Sequence, residues 1–330
     1  MWNAVLSLGT LLVLATAAPA QVSWADKMFK EGLTHDFGNV ARGAQLFYAF
    51  KIKNIYAVPL NVTTTRVSCG CVTVTPSVRK LEPQQEATVE VLMDTRRFPA
   101  GSKTVTIYVT VGDPPKFVST ATLQVSANSR ADIVFNPGQV NFGVVPRGQS
   151  PTQSVDVEYA GSLDWRVSEI VGGAAPLTVD LKEFERRPGY VGYRVSVTLK
   201  PDAPSGVLKH ELILKTNDPA SPHVPLLVEG TVQAPLSVSP SKISFPSIKV
   251  GTASSQRVML RGSQPFRILG VEGPNEGVRI EVPTTSSTIH FVTFHLQPAK
   301  PGDLRHQYQI KTDLAGEQPV TVTVEGHVEP

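Results

Sequence analysis

Residues 133–145 read IVFNPGQVNFGVV, and residues 236–248 read LSVSPSKISFPSI. Each places a proline (Pro137, Pro240) five residues ahead of a phenylalanine (Phe142, Phe245), and each continues to a branched residue (Val145, Ile248) and a glycine (Gly148, Gly251). The same opening stands earlier as Phe37-Gly38-Asn39 with Val40 and Gly43, where Gly32 takes the proline's place. The phenylalanines are spaced 105 and 103 residues apart. That period is too long for a solenoid repeat and has the size of an independent domain.

The repeats also close alike. Gly101 precedes SKTVTIYVT, Gly206 precedes a run ending LKHELILKTND, and Gly302 precedes a run ending RHQYQIKTD. Each is followed by one last apolar run: STATLQVSA, VPLLVEGTV and QPVTVTVEGHV. Within the repeats the hydrophobic period is two, as in Thr104 to Val109, Tyr193 to Leu199 and Val320 to Val324, which predicts half-buried strands. Turn signals such as Pro99-Ala100-Gly101, Asn217-Asp218-Pro219 and Pro301-Gly302-Asp303 separate runs of strand length. The expected fold is all-β: a signal peptide over residues 1–20, then three tandem immunoglobulin-like β-sandwich domains over 21–130, 131–234 and 235–330. A single helical turn is expected over Asp180 to Arg187, and Trp165 and the anchor phenylalanines are expected in the core.

Composition agrees with a folded chain: 330 residues, 41% hydrophobic and 18% charged. Twenty-five glycines and 27 prolines punctuate it without a collagen period and disfavour long helical bundles. The net charge of +3 comes from scattered residues, so nucleic acid is not an expected partner. Residues 4–20, AVLSLGTLLVLATAAPA, carry an apolar centre of signal-peptide length ending in Ala18-Pro19-Ala20, which predicts cleavage before Gln21. The expected location is secreted or periplasmic, with no membrane span after cleavage. The alternative is an uncleaved N-terminal anchor with the chain facing outward.

The first repeat carries HDFGNVARGAQLFYAFKIKN from residue 35, then PLNVTTTRVSCGCVTVTPS and LEPQQEATVEVLMDT. In this order these pieces resemble the bacterial secreted family known as domain of unknown function 1573. The later repeats are similar to ASH/hydin-type immunoglobulin-like domains through their proline-to-phenylalanine opening and TNDPASPHVPLLVEGTV. The resemblance implies a β-sandwich and an exported protein, and it implies no catalytic activity. Leu81-Glu82-Pro83-Gln84 departs from the family's Leu-x-Pro-Gly turn.

The only candidate chemistry is Cys69 and Cys71 in Ser68-Cys69-Gly70-Cys71, the candidate binding loop. Aligning Leu60, Trp165 and Phe266 sets this loop against Gly172-Gly173-Ala174-Ala175 and Val271-Glu272-Gly273-Pro274, so only one copy has sulfur at this strand exit. In an extended strand the Cα atoms of residues i and i+2 lie about 6.6 Å apart, at the edge of disulfide reach, and Gly70 at positive φ would bring the sulfurs together. Four readings stand side by side: a local Cys69–Cys71 disulfide, free thiols or an intermolecular bridge, a Cu(I) site with His35 as a further ligand, and a redox role. No C-x-x-C is present, and no His or Lys adjoins the pair in sequence.

The remaining polar groups carry blander expectations. His290 and His295 lie five apart on one strand, face opposite sides, and read as surface or rim histidines. Asn217-Asp218 and Asp313 read as turn residues rather than calcium ligands. Glu183 and Glu185, in KEFERR, read as a solvated loop. No hydrolase, zinc-protease, dinucleotide or phosphate-loop motif occurs, and no cofactor is expected. The expected function is a non-enzymatic binding, spacer or cell-envelope module whose partner is an unidentified protein or envelope component. The competing expectation is a periplasmic thiol redox or Cu(I)-binding protein using Cys69 and Cys71.

Overall fold

The structure is a computed structural model, and it describes residues 23–173, 175–314 and 319–330. The expected signal peptide and its cleavage point lie outside the described residues. The chain divides into two compact units, one of Met1–Gly38 with Leu46–Ser129 and the other of Asn39–Gln45 with Arg130–Pro330. Besides strands, the described residues hold two single 3-10 turns, Asp26–Met28 and Thr95–Arg97.

The first unit contains β1 (Thr34–Arg42, to Gly38), β2 (Gln45–Lys53), β3 (Leu60–Val67), β4 (Val72–Pro76), β5 (Lys80–Leu81), β6 (Glu86–Asp94), β7 (Gly101–Asp113) and the first part of β8 (Phe117–Asn136). One layer has the order β8–β7–β3–β5 with β1 also on β8, and the other has β2–β6–β4. The alternation in β7 is realised: Val105, Ile107, Val109 and Val111 are all fully buried, as are Val89, Val91 and Met93 of β6 in the other layer. Apolar faces that cannot be covered within one sheet are covered by the other. Asn54 ends β2 fully buried and stays satisfied, because its Nδ2 donates to the carbonyls of Val58 (2.8 Å) and Leu81 (3.0 Å) while its Oδ1 accepts from the Tyr56 amide (3.0 Å). The turn in which Gln84 replaces the family's glycine survives. Gln84 adopts φ 64°, the left-handed conformation that glycine takes most cheaply, and its amide donates to the Asn54 carbonyl at 2.8 Å.

The second unit takes the end of β1 from Asn39 and the last part of β8, and continues through β9 (Val140–Pro146), β10 (Thr152–Tyr159), β11 (Val167–Val171), β12 (Leu177–Arg187), β13 (Tyr190–Leu199), β14 (Gly206–Thr216) and β15 (His223–Gln233). It ends with β16 (Leu236–Ser239), β17 (Lys242–Lys249), β18 (Ser254–Phe266), β19 (Ile268–Glu272), β20 (Val278–Glu281), β21 (Ser287–Leu296), β22 (Gly302–Thr312) and β23 (Val320–Glu329). The orders β12–β13–β10–β8 and β11–β14–β15–β9 recur as β20–β21–β18–β16 and β19–β22–β23–β17. In both sets the strand bearing the anchor phenylalanine pairs in parallel with the last strand, β9 with β15 and β17 with β23, whereas the other ladders of these sheets are antiparallel. Phe142 and Phe245 are buried, and Phe37 is only half-buried, so the core expectation holds less well in the first copy.

Two local expectations fail. Asp180 to Arg187 is no helical turn, and KEFERR is no loop. Both belong to β12, an edge strand laddered to β13 with a register shift between Glu183 and Glu185. Its side chains beyond Leu181 are exposed, so the apolar period of the strand stops there. His290 is buried rather than at the rim: it is 2% exposed, and its Nε2 lies 2.8 Å from the Phe266 carbonyl. It occupies an inward position of β21, where a polar ring persists only with a partner.

Candidate functional site

Ser68 to Cys71 is the crossover that carries the chain from β3 in one layer of the first unit to β4 in the other. Ser68 prolongs the β3–β7 ladder, its amide donating to the Thr106 carbonyl (2.9 Å) and its Oγ accepting from the Thr106 amide (3.0 Å). The chain then turns. The Val72 amide donates to the Cys69 carbonyl at 3.2 Å, closing a four-residue turn, and the Cys71 amide lies 3.2 Å from the Cys69 Sγ. Cys69 and Cys71 are joined by a disulfide with their Cα atoms 5.3 Å apart.

The turn shortens that distance without the device expected of Gly70. Gly70 does not adopt positive φ, and a Cβ built on it would meet nothing within 4 Å. Cys71 is buried and Cys69 half-buried, while Ser68 and Gly70 are exposed at the tip. The Cys71 carbonyl accepts from the Asp94 amide (2.9 Å) and the Gly70 carbonyl from Arg97 Nη1 (3.0 Å), which ties the loop to the end of β6.

That end is basic. Asp94 caps the turn Thr95–Arg97 by accepting from the Arg96 amide (2.9 Å), and it takes the Arg96 guanidinium at 3.1 Å through both Nε and Nη2. This hydrogen bonding and charge raise the Arg96 pKa. Arg97 Nε lies 3.6 Å from the same carboxylate, and both arginines keep more than half of their side-chain surface in solvent. No cation adjoins the cysteines in sequence, yet folding places Arg97 against them. The available signal was Asp94-Thr95-Arg96-Arg97, an N-cap residue followed by two bases at the end of a valine-rich strand.

His35 is elsewhere. It stacks on Tyr48 with ring centroids 3.6 Å apart and meets the edge of Phe37 at 4.6 Å. Burial lowers its pKa, and Asp36 opposes that shift. The Cu(I) arrangement of His35 with both cysteines is therefore not assembled, and among the described residues no group of three or more His, Cys, Asp or Glu is placed to hold a metal ion.

The hairpin-end residues serve their turns. Asn217 Oδ1 accepts from the Arg166 amide (2.8 Å), and Asp313 Oδ1 does the same for Arg267 (2.7 Å) at the equivalent place. His295, on the opposite side of β21 from His290, lies 3.3 Å from Glu281. Glu183 is held at a pKa of about 2, first by its hydrogen bonds from Arg186, so it is an ion-pair carboxylate and no proton donor near neutrality. Among the described residues no helix is long and apolar enough to cross a membrane.

No curated protein matches the chain. Among solved structures, it is similar to a protein of unknown function from Porphyromonas gingivalis W83, with 15% identity over 60% of this chain and 96% of that one and a TM-score of 0.26. It is similar to a three-immunoglobulin-domain segment of titin at 11% identity, 90% and 96% coverage and a TM-score of 0.23. Drosophila N-cadherin EC1-4 matches at 13% identity, 90% and 74% coverage and a TM-score of 0.25. The fold assignment rests on the layers and ladders described above. Residues 28–122, which contain the whole cysteine loop, match the model of the family described as "Protein of unknown function (DUF1573)".

Proposed function

We propose that the chain is an exported, non-enzymatic protein of three tandem immunoglobulin-like sandwiches, the later two of ASH/hydin type, that acts as a binding, spacer or cell-envelope module. The observation that carries this reading is the cysteine loop. The Ser68 amide and the Cys69, Gly70 and Cys71 carbonyls are spent on Thr106, Val72, Arg97 and Asp94, the sulfurs are spent on each other, and what remains is a pinned tip of Ser68 and Gly70 with two arginines at its rim. Such a loop presents a surface and lacks the paired nucleophile and base that covalent catalysis requires. Sandwich proteins bind through end loops and strand edges, and the tip is the first place to look.

The test is cross-linking in the source cell with wild type and with the Cys69→Ser/Cys71→Ser variant. Capture of the same partner by wild type and by the serine variant supports a module whose sulfurs are structural. Stoichiometric Cu(I) uptake that disappears in the serine variant overturns the reading in favour of a carrier. An intact Met1 in the mass of the purified protein overturns cleavage before Gln21.

A further inference from the structure

The outward face of the sheet β16–β18–β21–β20 differs from its counterpart in the preceding repeat. In the preceding repeat β10 and β13 oppose Asp156 to Arg194, Ser154 to Ser196 and Glu158 to Gly192. Arg194 there is bidentate on Asp156 at 2.7 and 2.9 Å, and Ser154 meets Ser196 at 3.0 Å, so the centre of that face is spent on itself. The inward pairs Val155–Val195 and Val157–Tyr193 correspond to Val258–Val292 and Leu260–His290, which fixes the equivalence. At the three outward places the later sheet has Met259 opposite Phe291, Arg257 opposite Thr293 and Arg261 opposite Ile289. The ion pair has become an apolar pair, and the serine and glutamate on the first strand have both become arginine.

Phe291 is 53% exposed and Ile289 43% exposed, and the Arg257 guanidinium lies 5.8 Å from the Phe291 ring centroid. Arg279 stands opposite His295 on the next strand, where both line a depression of ≈ 530 Å³ that continues the face. Among the described residues Arg257, Arg261 and Arg279 have no carboxylate partner, and the one acid in these rows, Glu281, is engaged by His295. An exposed aromatic between unpaired guanidinium groups is costly to leave bare and suits an anionic ligand with an apolar face.

The size of the face narrows the class. Four strands about 4.8 Å apart are about 14 Å wide, and Ser255 to Arg261 runs about 20 Å, giving about 300 Å². A stable protein interface needs about 800 Å² on each side, whereas a single extended polymer chain lies comfortably in this strip. We infer that this face binds an acidic polysaccharide, with Arg257, Arg261 and Arg279 taking its carboxylates and Phe291 stacking against a sugar ring. The site is separate from the cysteine loop, so its failure leaves the reading of the first unit untouched.

The test uses the full mature chain in affinity electrophoresis and titration calorimetry, with alginate as the probe and dextran as the uncharged control. Alginate retards wild type and dextran does not. Arg257→Glu/Arg261→Glu weakens binding by about tenfold or more, since each exposed charge contact contributes up to about fivefold. Phe291→Ala weakens it by about threefold. Lys27→Glu/Lys182→Glu, with the same change in net charge elsewhere on the surface, binds as wild type, and matching thermal melts show that all variants fold. Equal mobility in alginate and dextran, or undiminished binding by the arginine reversal, overturns the site. Tighter binding of poly-glutamate or of single-stranded poly-thymidine than of alginate overturns the polysaccharide assignment.

Discussion

The same strand exit is closed in three different ways. In the first repeat, Cys69 and Cys71 close it covalently around Gly70, whose Cβ position is open space. In the second, Gly172 adopts φ 91°, and a Cβ there would lie 2.5 Å from the backbone oxygen of Glu211. In the third, a Cβ on Gly273 would lie 2.3 Å from the ring of Tyr308, whose hydroxyl donates to the Pro274 carbonyl at 2.9 Å. Two copies draw the backbone against a neighbour and leave no room for a side chain. The first holds its backbone away from neighbours at the tip and bonds across the turn instead. Sulfur and close packing are alternative answers to one geometric problem.

Substitutions at these points separate the three answers by size. Gly172→Ala should cost the most, about 2–5 kcal/mol in denaturant unfolding, because the left-handed conformation costs about 1–2 kcal/mol and overpacking against a carbonyl about 1–3 kcal/mol. Gly273→Ala should cost about 1–3 kcal/mol, since the ring rather than the conformation is the obstacle. A loss below about 0.5 kcal/mol at either site would mean that close packing does not close these exits.

The third exit should also be sensitive to alkali. Burial, and then Glu276, push the Tyr308 hydroxyl up to about 12. A folded pKa above the unfolded value of about 10 stabilises the fold below pH 10, and that contribution is lost as pH rises from 10 through about 12. Tyr308→Phe should flatten the stability profile in that window, and an unchanged profile would place the titration elsewhere. Cys69→Ser/Cys71→Ser should cost only about 1–2 kcal/mol, the chain-entropy value for so short a loop. Gly70→Ala should fall within about 0.5 kcal/mol of wild type and leave the bridge intact by intact mass. A loss as large as that of Gly172→Ala would make the first exit no different in kind from the others.

The fold was legible wherever an apolar period reported burial. Val105 to Val111 and Val320 to Val324 alternate because one face of each strand is covered, and the anchor phenylalanines mark the strands that reach the last one. What escaped was decided by partners distant in sequence. β12 shows no period beyond Leu181, since it is an edge whose outward charges pair locally, Glu183 with Arg186 and Glu185 with Arg187. His290 looked peripheral because its polarity was visible and the carbonyl that satisfies it, on Phe266, was not. The cysteine pair was conspicuous, while Arg97 reaches Gly70 from 27 residues away with no motif joining the two.

The parallel pairing of β17 with β23 bears on mechanical load. In a parallel pair the start of the first strand and the end of the last lie at opposite ends of the ladder, so tension applied through Lys242 and Glu329 slides one strand along the other. Pairs from Lys242–Thr323 to Lys249–Glu329 then resist together instead of opening one at a time. The β9–β15 ladder offers the same geometry from Val140 to Gln233. Tension applied through Val140 and Gln233 would load that ladder in the same way.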